Sequence, residues 1–185
     1  PTIPSWFSEM LPLSFDLAME INKFRRLIEE KFILEKDKKE ILDFINEYLY
    51  VDKNAADAIY NYFREQYLYA DEIPNDKKLV IEHYSEDKKK FVVFHSLYGR
   101  RVNDVLARAV AYAIGKLQHR DVEIGVSDNG FYLASEKPIQ VLRAFKLLKS
   151  KELRQVMELA INKTEILSRR FRHCATRSLM ILRQY

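Results

Sequence analysis

The chain is poor in residues that break or staple a backbone. Of its 185 residues, four are glycine and five proline, while 48% are hydrophobic. With no low-complexity tract either, that balance excludes a disordered segment. A single cysteine, Cys174, excludes an internal disulfide and fits a reducing compartment, so cytoplasm is the expected location. No apolar run approaches the ~20 residues that span a bilayer, and no signal peptide is visible, so no membrane partner is expected. The net charge of +4, with a pI of about 9.0, is too small to name a partner by itself. Where the cations cluster matters more.

Catalytic signatures are missing as well. "AIGKLQ" has Gly115-Lys116 but neither the upstream glycine nor the following Ser/Thr of a Walker A loop. "DEIP", Asp71 to Pro74, lacks the last acidic or histidine residue of a helicase acidic motif and follows no apolar strand. His83, His95, His119 and His173 are scattered, and the adjacent pair His173-Cys174 is poorly spaced for one tetrahedral zinc. Cys174 lies on an apolar stripe, which argues against a Cys-His nucleophile. His95-Ser96 has neither an elbow motif nor an evident acid partner. No catalytic, cofactor or metal residue is assigned.

What is present is a helical pattern with a short β interlude. The prolines of "PTIPSWFSEMLPLSF" make residues 1–13 an extended arm. Ser14 is placed to cap a helix carrying Leu17, Ile21, Phe24 and Ile28. Asp37 with Glu40 caps a second, and Asp52 starts a third. Strands are expected at 79–84, 91–97, 122–126 and 131–135. A helix from about Asn103 lies between the second and third, with an apolar stripe through Val102, Val105, Leu106, Ala109, Val110, Ala113, Ile114 and Leu117. The Asn129-Gly130 pair is expected to supply positive φ angles for a hairpin. A short helix follows Pro138. One long helix, or two in succession, then occupies 151–185, its buried side traced by Val156, Ala160, Leu167, Phe171, Cys174, Ser178 and Leu182. The expected fold is a single α+β domain, mainly helical, with a small, mostly antiparallel sheet carrying helices on one face. Within it, residues 1–70 form a helical lobe and 79–185 an α+β lobe. The first residue is Pro, and the last falls in a helical pattern still running, so the chain is expected to be a segment of something larger.

Three groups of residues carry binding chemistry. The first is a corner where a strand meets a helix: His95, Ser96, Tyr98, Arg100 and Arg101. Free N–H groups at a helix start beside two guanidiniums suit phosphate oxygens. Equally, the arginines can pair with Asp104 or with carboxylates across the sheet. The second is "SRRFRHCATRSLMILR", where Arg169, Arg172, His173 and Arg177 share one helix side and no acid falls between Arg169 and Arg177. Such a row suits a polyanion or an acidic protein surface. The third is Trp6, the only tryptophan, which either stacks on an unpaired base or anchors the arm to the core.

Taken in order, "IPSWFSEMLPLSF", "FVVFHSLYGRRVND", "EIGVSDNGFYL" and "RRFRHCATRSLMIL" resemble the DEAD/H-associated domain that follows the winged helix in Lhr-type (large helicase-related) DNA helicases, in an archaeal version. The resemblance covers nearly the whole chain. It implies a parent enzyme that is an ATP-driven 3′-to-5′ translocase on single-stranded DNA. ATP and Mg would be held by two RecA-like domains, and none by this region. It implies that this domain walls the strand channel, with single-stranded DNA, the RecA-like domains and the winged helix as partners. Trp6 matches the arm's tryptophan, although Ser8 stands where the family has glycine. Arg172 and Arg177 match the "FRxCAxR" helix. His95, Tyr98 and Arg101 match the corner, whose implied role is DNA contact or docking on the motor. An RNA-binding domain remains an alternative.

Overall fold

The computed structural model describes residues 11–162, 165–178 and 180. Among them are seven α-helices and four strands: α1 Phe15–Ile33, α2 Lys38–Leu49, α3 Lys53–Ala70, β1 Val80–Glu86, β2 Lys89–His95, α4 Arg100–Gln118, β3 Glu123–Val126, β4 Phe131–Ser135, α5 Val141–Leu147, α6 Leu153–Asn162 and α7 Glu165–Arg177. The strands form one antiparallel sheet in the order β1-β2-β4-β3, so the fold is α+β and mainly helical, as expected. The 151–185 region holds two helices in succession, preceded by a 3-10 turn at Ser150–Glu152. No helix among the described residues is long and apolar enough to cross a membrane.

The chain divides into two compact units, one of Pro1–His83, Val93–Asn103 and Val126–Tyr132, the other of Tyr84–Val92, Asp104–Gly125 and Leu133–Tyr185. In the first, three carboxylate or hydroxyl caps start the helices where the sequence put them. Ser14 Oγ accepts from the N–H of Leu17, Asp37 from Glu40 and Asp52 from Ala55, at 3.2, 2.7 and 2.8 Å. The helices close over Phe24, Ile28, Ile41, Ile45, Ala56, Tyr60, Phe63 and Ile73. The α1 stripe is shifted from the expected one: Leu17 is exposed, while Asn22 and Glu29 are buried. Both polar groups are satisfied by distant chain. Asn22 Nδ2 donates to the Leu97 carbonyl at 2.7 Å. Glu29 receives the Ile73 N–H (2.8 Å), Asn75 Nδ2 (2.7 Å) and the Lys78 ammonium (2.7 Å). One buried carboxylate thereby fixes the segment between α3 and β1.

The β1–β2 loop is only Asp87-Lys88, with Asp87 at φ 51°. This tight turn lets both strands extend into the charged stretch, where Lys90 donates to Ser85 Oγ at 3.1 Å. The β3–β4 hairpin corrects another expectation. Neither Asn129 nor Gly130 has positive φ. The glycine is needed for close approach instead: a Cβ there would lie 2.2 Å from the Phe94 carbonyl oxygen of β2.

Two apolar stripes are also corrected. In α4, Ala107 is buried and Val105 lies at the exposed edge. The buried line runs Asn103, Ala107, Val110, Ile114, at the four-three-four spacing of one helix face. Ala109, Val110, Ala113 and Ile114 of the expected stripe are buried, and Asn103 and Ala107 extend the buried face beyond it. In α7, Leu167, Phe171 and Cys174 are exposed, as is Ser178 just after it, while Ala175 is buried. A small side chain is buried there, while Leu167 and Phe171 remain exposed. Leu182 lies outside the described residues.

Candidate nucleic-acid interface

The corner is built by Asn103. Its side chain is fully buried, and its Nδ2 lies 2.8, 3.0 and 3.1 Å from the carbonyl oxygens of Ser96, Ser127 and Asp128. Its Oδ1 accepts from Ser96 Oγ at 3.0 Å. Three carbonyls around one amide NH2 leave a single sensible orientation for the group. The β2–α4 turn and the β3–β4 hairpin are thereby tied to each other. Nothing in the sequence pattern separates Asn103 from an ordinary helix-start asparagine, because its partners lie on another hairpin.

Asp128 completes the corner. Its Oδ1 accepts the N–H of Arg100 at 2.8 Å and of Leu13 at 3.1 Å, while its carbonyl accepts from Gly99 at 3.2 Å. It is therefore the cap of α4, supplied from a distant hairpin. This explains why the helix starts at Arg100 and not near Asn103. Of the helix-start N–H groups expected to suit a phosphate, that of Arg100 is therefore taken by the chain's own carboxylate. Gly99 sits at φ 81°, and a Cβ on it would lie 2.4 Å from the Leu13 carbonyl oxygen, so the end of the arm packs directly on this turn.

The expected corner residues therefore separate. Ser96 is buried and bonds inward, so its hydroxyl belongs to the mount and is not presented to a ligand. His95 Nε2 lies 2.7 Å from Glu82 Oε2. Tyr98 is partly buried, and burial, followed by the charge of Asp76, pushes its phenol up. Arg100 and Arg101 are exposed, and neither side chain is in an ion pair among the described residues. Asp104, the carboxylate that could have neutralised them, is bound to Arg108 at 3.0 Å.

On α7, Arg169, Arg172 and Arg177 are exposed. Arg172 and Arg177 are in no ion pair with a carboxylate among the described residues, although Arg172's carbonyl accepts from Thr176 Oγ1 at 2.8 Å. Trp6 lies outside the described residues. No group of three or more His, Cys, Asp or Glu among the described residues is arranged to hold a metal ion.

The fold is thus that of a mainly helical α+β domain that presents guanidiniums from a rigid corner and from a terminal helix. A model of the family described as DEAD/H associated matches residues 73–185, and the chain belongs to that family. The ATP-dependent helicase Lhr-Core of Methanothermobacter thermautotrophicus is 56% identical over 186 residues, covering 100% of this chain and 22% of that protein. Lhr-Core of Sulfolobus acidocaldarius is 43% identical over 189 residues, again covering 100% of the chain and 22% of the relative. The Lhr helicase/uracil glycosylase of Escherichia coli is 28% identical over 133 residues, which is 70% of this chain and 9% of that protein. The chain therefore spans about a fifth of the Lhr-Core relatives' length. The structure of Mycobacterium smegmatis helicase Lhr bound to ssDNA and AMP-PNP shares the fold, with a TM-score of 0.75 and 22% identity, over 97% of this chain and 22% of that one. The chain is a helicase-associated domain of the Lhr kind.

Proposed function

We propose that the domain is an accessory nucleic-acid-binding part of an ATP-dependent 3′-to-5′ DNA helicase, forming part of its single-strand channel and aiding unwinding. ATP and Mg would be held by RecA-like domains of the same polypeptide, and this region would carry no catalytic group. The observation that carries the reading is the exposure of Arg172 and Arg177 with no carboxylate partner among the described residues. Guanidiniums left in that state are ready to exchange water and counterions for phosphate oxygens. Arg169, Arg100 and Arg101 are further candidates for the same contacts, and Trp6 for base stacking. The ssDNA in the Mycobacterium smegmatis structure supports single-stranded DNA as the partner.

One observation favours a second reading, in which this face docks on the motor or the winged helix. Leu167 and Phe171 of α7 are 42% and 63% exposed, an apolar side beside the arginine row. Fluorescence anisotropy of a labelled single strand separates the two. The first reading expects binding whose log K falls linearly with log salt, by about 0.7 for each phosphate contact. Absence of binding to DNA at low salt, together with co-purification of separately expressed motor domains that is lost in Phe171→Ser, would establish docking in its place. Matched RNA and DNA strands test polymer preference.

A further inference from the structure

The second unit holds a cavity of about 640 Å³ between the carboxyl-terminal half of α4, β3 and α6. Its rim carries Arg108, Lys116, His119 and Arg120, against one carboxylate, Asp121. The rest of its lining is mainly apolar, with Tyr112, Ile124 and the exposed Leu159 among its residues. Two rim cations are held in place. Arg108 is fixed by Asp104 at 3.0 Å, and the Lys116 ammonium sits 5.5 Å from the Tyr112 ring centroid. Arg120 donates through Nη2 to Gln118 Oε1 and to the Pro138 carbonyl, while its buried Nε has no partner among the described residues. These groups are separate from both the corner and the α7 row.

We propose that this cavity binds a nucleotide unit, its phosphate at the Lys116 ammonium and its base against the apolar lining of Tyr112, Ile124 and Leu159. A small inorganic anion would use the Lys116 charge and leave the apolar lining uncovered. A purely apolar ligand would leave unanswered the Lys116 ammonium, which is in no ion pair among the described residues. A ligand with an anionic end and a flat aromatic end uses both, and the volume falls in the ~300–1,000 Å³ range of small-ligand pockets. Aromatic and aliphatic linings hold bases by stacking without reading sequence. The inference rests on the proposed nucleic-acid role only in favouring a strand over a free nucleotide.

The test is an amide-resolved NMR titration of the 185-residue chain with thymidine monophosphate, inorganic phosphate and short oligothymidylate, repeated on Lys116→Glu. Lys116 is exposed, so the charge reversal leaves the fold intact, which an unchanged melting temperature checks. The expected result is saturable shifts at Gly115, Lys116 and His119 with the monophosphate and the oligomer, weaker ones with inorganic phosphate, and about a tenfold loss of affinity in the variant. Equal affinity for inorganic phosphate and the monophosphate would overturn the base site. Oligomer binding that is unchanged in Lys116→Glu would overturn the cavity while leaving the arginine row as the DNA contact. Monophosphate binding in a chain that ignores the oligomer would uphold the cavity as a free-nucleotide site and remove the strand reading.

Discussion

Asn103→Ala is expected to destabilise the chain by about 3–5 kcal/mol, measured by urea denaturation. The side chain makes four short polar contacts in a site with no exposure to water. Truncation strands the Ser96 hydroxyl and weakens the pairing of three carbonyls, at ~1–3 kcal/mol for each buried group left without a partner. Not all of that is lost. The Ser96 and Asp128 carbonyls keep backbone partners, in the N–H groups of Tyr98 and Gly99. Asn103→Asp is the sharper control. It keeps the volume but turns a carboxylate oxygen toward carbonyl oxygens, so it should be at least as damaging as alanine. If Asn103 merely fills space, the aspartate would be the milder change, and a loss under about 1 kcal/mol for either would contradict the network.

Glu29→Ala is expected to cost a similar ~3–5 kcal/mol, because it removes the acceptor for a buried N–H, a buried amide and an ammonium at once. The pH dependence gives a second reading of the same contact. Burial works against the Lys78 charge, but its hydrogen bonds to Glu29 and Glu72 outweigh that cost and hold the ammonium above its ordinary value. A raised folded-state value means that this contribution is complete below the ordinary lysine value and is lost as pH rises through the folded one. The stability gap between wild type and Glu29→Ala should therefore narrow as pH rises from neutral into strongly alkaline buffer. A gap that stays unchanged on that alkaline side would show that the Lys78 ammonium adds nothing to the contact.

Local signals were readable in the sequence. Ser14, Asp37 and Asp52 cap where their spacing says they should, and the four strands fall within two residues of their expected bounds. What was not legible depends on partners far along the chain. The start of α4 is set by Asp128, twenty-eight positions from Arg100. Asn22, Glu29 and Asn103 are buried because Leu97, the segment 73–78 and the β3–β4 hairpin supply their partners, which no helical period can reveal. The Asn-Gly pair misled because Gly130 serves contact with β2 and not a left-handed turn. At the candidate interface, the arginines could be named from composition and spacing. That Asp104 would choose Arg108, leaving Arg100 and Arg101 without it, required coordinates.

The most direct measurement is the salt dependence of single-strand binding in wild type and in the double variant Arg172→Ala/Arg177→Ala, by anisotropy of a labelled oligonucleotide. If both guanidiniums meet phosphates, the plot of log K against log salt should flatten by about 1.4 on removing them. Parallel lines for the two proteins would contradict the account.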